Sequence, residues 1–112
     1  MAKPLKYKNA PCQVGAEKYR SKRERDRHQD LLLLQRAGKI AGLVREVAYV
    51  LIPSQRRSDG KAERACTYFC DFLYTTDQGR IVCEDAKGVR TKDYIIKRKL
   101  MLKVHGITVL EV

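Results

Sequence analysis

Asp71 stands fourteen residues before Asp85, and Asp85 is followed by Ala86 and Lys87. Two acids and a lysine make a metal-dependent centre only if the backbone brings them to one face. Between them lies Asp77-Gln78-Gly79, a three-residue loop with glycine where a type I turn closed by a G1 bulge needs a left-handed residue. With Thr76 opposite Arg80, counting back along both strands places Asp71 directly opposite Asp85. Facing side chains in such a ladder have Cβ atoms about 5 Å apart, and like charges there are destabilising unless something compensates. A divalent cation compensates. Mg²⁺, typically held by one or two carboxylates, several waters and a substrate phosphate, suits such a pair, and Mn²⁺ is the expected substitute. Alternation puts Cys83, Asp85 and Lys87 on one face and Val82, Glu84 and Ala86 on the other. Lys87 therefore joins the aspartates, where an ammonium can position or help deprotonate an attacking water and offset charge on a phosphate.

The elements that must hold these residues follow from spacing. Ser21-Lys22-Arg23-Glu24 fits a capping box, and good helix formers continue to Ala37 before Gly38, which predicts a helix over about Lys22 to Ala37. Its apolar stripe through Leu31 and Leu34 runs back at helical spacing to Glu24, which therefore faces the sheet as a further metal-shell carboxylate or serves only as a helix cap. Leu43 to Ile52 is β-branched and apolar and ends at Pro53, a first strand. Ser54 to Glu63 reads as a polar loop, Arg64 to Thr75 as a second strand, and Arg80 to Lys87 as a third. Thr91 caps a second helix to about Val104, Gly106 ends it, and Ile107 to Val112 forms a last short strand. The order is α-β-β-β-α-β, a mixed α/β fold with a central sheet. Residues 1–18 carry no period and read as a flexible basic arm, leaving 19–112 as a single domain.

Asp71 in the second strand followed by Asp85-Ala86-Lys87 in the third resembles the PD-(D/E)XK nuclease signature, and the element order is similar to that superfamily's restriction-endonuclease-like αβββαβ core. More narrowly, SKRERDRH, CDFLY, VCEDAKG and TKDYIIKRKL resemble small phage and prophage proteins catalogued as domain-of-unknown-function family 1064. The resemblance covers residues 20–112. It implies Mg²⁺-dependent hydrolysis of DNA, with Glu24, Asp71 and Asp85 as metal-binding carboxylates and Lys87 as the catalytic lysine. By analogy with small phage enzymes of the superfamily, it also implies a homodimer acting on branched recombination or replication DNA, in the manner of a Holliday junction resolvase. Cys70 stands where the superfamily's name has proline. Asp59-Gly60-Lys61 repeats the D-x-K tripeptide in what reads as a turn.

The net charge of +11 is the largest compositional anomaly. Residues 1–40 hold 11 Lys and Arg against 4 acids, and residues 90–103 hold 6 against 1. Each Lys or Arg on a phosphate backbone releases condensed counterions, so nucleic acid is the first partner to expect. Arg20 just before the first helix, Arg23 and Arg27 on it, and Lys92, Lys97, Arg98 and Lys99 on the second are the candidate contacts, or else solvated faces. None of the four cysteines forms a CxxC pair, and Cys66 and Cys70 on one strand lie roughly 13 Å apart, too far to share a zinc ion easily. They read as small buried hydrophobes. His28 and His105 belong to no metal or Cys-His constellation. No apolar run reaches the 18 residues of a membrane span and no secretory pattern is present, so a cytoplasmic protein of a bacterial host is expected. Two functions remain in view: a metal-dependent endonuclease, and a non-catalytic DNA-binding or assembly module of the same fold. RNA binding is less attractive because the tyrosines form no RRM-like aromatic motif.

Overall fold

Ser21 begins the first helix because its hydroxyl accepts the backbone N–H of Glu24 at 3.2 Å, one of the amides a helix start leaves without an internal partner. The computed structural model describes residues 12–14 and 17–112. In chain order these form β1 (Cys12–Val14), β2 (Glu17–Tyr19), α1 (Lys22–Arg36), β3 (Ile40–Ile52), β4 (Gln55–Arg56), β5 (Ala62–Glu63), β6 (Cys66–Thr76), β7 (Ile81–Asp85), α2 (Lys92–His105) and β8 (Leu110–Glu111). Most of the expected basic arm lies outside the described residues. Within its span β1 and β2 pair as an antiparallel ribbon, which the absence of a sequence period concealed.

The central sheet runs β3-β6-β7-β8, antiparallel except that β8 lies parallel to β7. It is the mixed α/β fold expected, and compatible with a restriction-endonuclease-like core. The β6–β7 register follows the hairpin count: Thr75 faces Ile81 and Phe72 faces Glu84, with the Thr76 amide donating to the Arg80 carbonyl at 2.7 Å. Gly79 sits at φ 82°, the left-handed residue that turn requires. The stretch read as a polar loop instead holds the small hairpin of β4 and β5.

Two apolar clusters lie on opposite sides of the sheet. One joins Tyr94 and Met101 of α2 to Leu51, Tyr68, Cys70 and Cys83; the other joins Leu31 of α1 to Ile40, Phe72 and Tyr74. Full burial of residues such as Phe72 or Leu31 contributes about 1.5–3 kcal/mol each. Strict alternation would put Cys70 and Phe72 on one face, yet they join different clusters. β3 changes over at the same level. Leu43 packs with the α1 cluster, whereas Val47, Tyr49 and Leu51 pack with the α2 cluster. Arg45 pairs with Glu24 of α1. The changeover falls at Glu46, the only non-glycine with positive φ among the described residues (54°), whose place in the register is beside Asp71. Cys70 and Cys83 are buried, and Cys66, Cys70 and Cys83 are all free thiols. No helix among the described residues is long and apolar enough to cross a membrane.

Candidate active site

The helix starts define the site. Arg20, Ser21 and Glu24 at the beginning of α1, Asp71 of β6, residues 86–89 after β7, and Thr91 and Asp93 at the beginning of α2 line a cleft of about 230 Å³. Both helices present amide-rich ends to it, and Thr91 caps α2 by accepting the Tyr94 amide at 3.1 Å. Such ends favour anions.

Asp71 is buried, and its Oδ2 accepts the Ala86 amide at 2.8 Å. Its other oxygen accepts no hydrogen bond among the described residues. Burial first, and then the negative charges of Asp85 and Glu24, push its carboxyl up to about 7; the Ala86 amide and Arg20 act against this. Asp85, 2 % exposed, lies beneath the cleft and not in its lining. Its Oδ2 accepts the Tyr68 hydroxyl at 2.5 Å, and its Oδ1 is 3.9 Å from Lys87 Nζ. Lys87 lines the cleft with its ammonium 4.9 Å from the centre of the Tyr94 ring.

Glu24 is 2 % exposed, on the face of α1 that also buries His28 and Leu31. It both continues the cap and points into the site. Its Oε2 accepts the Arg20 amide at 3.1 Å, and its Oε1 pairs with Arg45 at 3.2 Å. Arg45 also holds Glu17 at 2.6 Å and the Lys18 carbonyl at 2.9 Å, and lies 4.3 Å over the Tyr19 ring. The Tyr19 hydroxyl in turn shares a hydrogen bond of 2.6 Å with His28 Nδ1, and His28 stacks on Phe72. The histidine's pKa is lowered, chiefly by burial and then by Arg45.

Glu24, Asp71 and Lys87 share the lining of the cleft, with Asp85 buried next to Lys87. Among the described residues no group of three or more His, Cys, Asp or Glu side chains is arranged to hold a metal ion. The physical reason is that buried carboxylates are satisfied by protein donors: Arg45 and the Arg20 amide take Glu24, and Tyr68 takes Asp85. The donors nevertheless suit Mg²⁺ in kind, since it takes hard oxygens and needs only one or two carboxylates. Asp71, with a free oxygen beside the cleft, is the first of them.

The basic residues divide in the same way. Arg27 does not extend the outer surface as expected, because its guanidinium grips the fully buried Glu84 with two hydrogen bonds of 2.7 and 2.6 Å, and Tyr74 donates to the same carboxylate. Arg98 is half-buried and pairs with Glu111 at 3.1 Å. Arg23 is exposed and reaches the Val112 carbonyl at 3.4 Å. Lys92 and Lys99 are exposed, Lys97 is half-buried, and Arg20 is exposed at the cleft, 3.9 Å from Glu46. Tyr68, Tyr94 and Arg45 were not expected at the site. No sequence signal marks them, since uninterrupted alternation puts Tyr68 on the face away from Asp71 and Asp85.

In comparisons with known proteins, a family model described as protein of unknown function (DUF1064) matches residues 4–108. No curated protein and no solved structure matches the chain.

Proposed function

The chain belongs to the DUF1064 family, whose description assigns no chemistry, and from its cleft we propose that it is a Mg²⁺-dependent DNA endonuclease of the PD-(D/E)XK type. The observation that carries this reading is the raised carboxyl of Asp71, crowded by Asp85 and Glu24 at a cleft that also holds Lys87. Buried acids kept close together at a cost are characteristic of functional centres. Asp71 would hold the ion, with Glu24 and Asp85 as the neighbouring carboxylates. When bound, Mg²⁺ supplies Lewis acidity and charge neutralisation at the scissile phosphate. Lys87, steadied between Asp85 and the Tyr94 face, offsets charge that develops on the phosphoryl oxygens. The amide-rich starts of α1 and α2 favour the approach of a phosphate. Branched recombination or replication DNA is the substrate class we propose, and a homodimer the acting form.

A second reading has its own observation. Glu24 and Asp85 are already engaged by Arg45 and Tyr68, as in a non-catalytic DNA-binding or assembly module of the same fold. One experiment separates them: the purified protein is incubated with Mg²⁺ or Mn²⁺ and Holliday junction, flap, linear duplex or single-stranded DNA, beside Asp71→Asn and Asp85→Ala. The nuclease reading expects cleavage by the wild type, stopped by EDTA and reduced at least about 100-fold in either variant, as when a main electrostatic contributor is removed. Full cleavage by Asp71→Asn would sink it. Binding without any cleavage by the wild type would establish the second reading, and equal cleavage of all four substrates would remove the preference for branches.

A further inference from the structure

Every residue from 52 to 65 is exposed, yet this stretch is regularly folded. β4 and β5 pair only with each other, and Gly60 closes the turn at φ 85°. Local bonds keep its shape. The Arg57 amide donates to the Lys61 carbonyl at 2.8 Å, Gln55 to Glu63 at 3.0 Å, Arg56 to the Gly60 carbonyl at 2.8 Å, and the Lys61 amide to Asp59 at 3.1 Å. Arg57 pairs with Asp59 at 2.9 Å. A hairpin that buries nothing and is preformed by its own contacts suits recognition better than support. It carries Arg56, Arg57, Lys61 and Arg64 against Asp59 and Glu63. Both acids are occupied inside the hairpin, and neither Lys61 nor Arg64 has a carboxylate partner among the described residues. The charge map drawn from the chain's two ends passed over this arm, because its acids partly cancel its bases in a simple count.

We propose that the arm of residues 52–65 is a second contact with duplex DNA, separate from the cleft. It rests on the nuclease reading only for the choice of polymer. The B-DNA major groove, about 12 Å wide, admits a two-stranded ribbon, whereas the deep, narrow major groove of A-form RNA does not. The arm continues the β3–β6 ribbon away from Asp71. Five residues from Asp71 to Cys66 and about five more to the turn span at most roughly 35 Å at about 3.3 Å each. That is close to one turn of duplex, about 34 Å. Fully extended, the arm meets the backbone about a helical turn from the cleft, and a short duplex seated in the cleft does not reach it.

The test measures binding in EDTA, where cleavage plays no part. A 30-bp duplex and a 10-bp duplex closed by a hairpin loop are titrated against salt with the wild type, with Arg56→Gln/Lys61→Gln/Arg64→Gln, and with Ser58→Lys. The triple variant should bind the 30-bp duplex about 10-fold more weakly at moderate salt, with the log–log salt slope reduced by about 2 to 3, near 0.9 per lost phosphate contact. Its binding to the short duplex should be unchanged, and Ser58→Lys should tighten binding to the long duplex alone. Equal affinities of wild type and both variants for the 30-bp duplex overturn the proposal, as does an equal loss on both lengths. The exposed Val50, Ile52 and Phe69 at the arm's root make a second copy of the chain the competing occupant. A dimer by sedimentation that the triple variant abolishes, with DNA binding unaltered, would assign the arm to that copy and overturn the proposal. Failure of the wild type to cleave DNA leaves this result untouched, so the two readings fail separately.

Discussion

Asp71 carries the electrical strain of the site. In the unfolded chain its carboxyl ionises near its ordinary 3.8, whereas in the fold burial and the charges of Asp85 and Glu24 hold it protonated up to about 7. Folding therefore takes up a proton between those values. Stability falls as pH rises through that window, and the loss is complete above the folded value. Asp71→Asn keeps an acceptor for the Ala86 amide without the charge. Its melting temperature should exceed the wild type's at pH 8, and the gap should close below about pH 4, where the wild-type carboxyl is neutral in both states. Mg²⁺ should raise the wild-type melting temperature at pH 8 and leave the variant's unmoved. Parallel pH curves for the two proteins would show that Asp71 is not under this strain. The neighbouring acids are each met by protein donors: Tyr68 for Asp85, Arg45 and the Arg20 amide for Glu24.

At the level of elements, the site depends on where the two long strands change face. Glu46 takes a left-handed φ of 54° beside Asp71 in the register, and from there β3 and β6 pack against α2 and no longer against α1. A left-handed conformation costs a residue with a Cβ about 1–2 kcal/mol, and glycine almost nothing. In urea unfolding Glu46→Gly should thus be as stable as the wild type or up to about 1 kcal/mol more stable, since the Arg20–Glu46 pair it removes is exposed and long. Glu46→Val should be less stable than the wild type, because a β-branched side chain resists positive φ more than glutamate does. This order reverses the one expected in an ordinary strand, where valine is preferred over glycine. A valine variant as stable as the glycine variant would mean the turn is not imposed by packing. The other element-level lock is Arg27 of α1 on Glu84 of β7; removing one partner of such a buried pair typically costs about 3–5 kcal/mol. Arg27 thus carries a structural duty between α1 and β7.

For the whole molecule, a charge of +11 makes any phosphate binding strongly dependent on salt. The contribution is not spread evenly over the bases, because Arg27, Arg45 and Arg98 face internal carboxylates while Lys92 and Lys99 on α2 face solvent. Lys92→Ala and Lys99→Ala should each lower the log–log salt slope of duplex binding by about 1, uniformly across sequences. Gel shifts from 50 to 200 mM salt would measure this. An unchanged slope in both would place α2 outside the DNA interface.

Both helices, their caps and the β6–β7 hairpin were legible in the sequence because they rest on local chemistry. Ser21 and Thr91 satisfy amides three residues on, Gly79 and Gly106 take conformations that other residues resist, and the hairpin's loop length sets its register. That register holds from Thr75–Ile81 to Phe72–Glu84, one pair short of Asp71 and Asp85, and helical spacing was enough to turn Glu24 inward. Only the tertiary structure decided which polar groups each buried acid would meet, since these partners lie far apart in the chain: Arg27 with Glu84, Arg45 with Glu24, Tyr68 with Asp85. The face change at Glu46 and Asp71 leaves no mark in residue type, because packing against two helices on opposite sides imposes it on an ordinary glutamate. It brings Tyr68 to the face on which it meets Asp85.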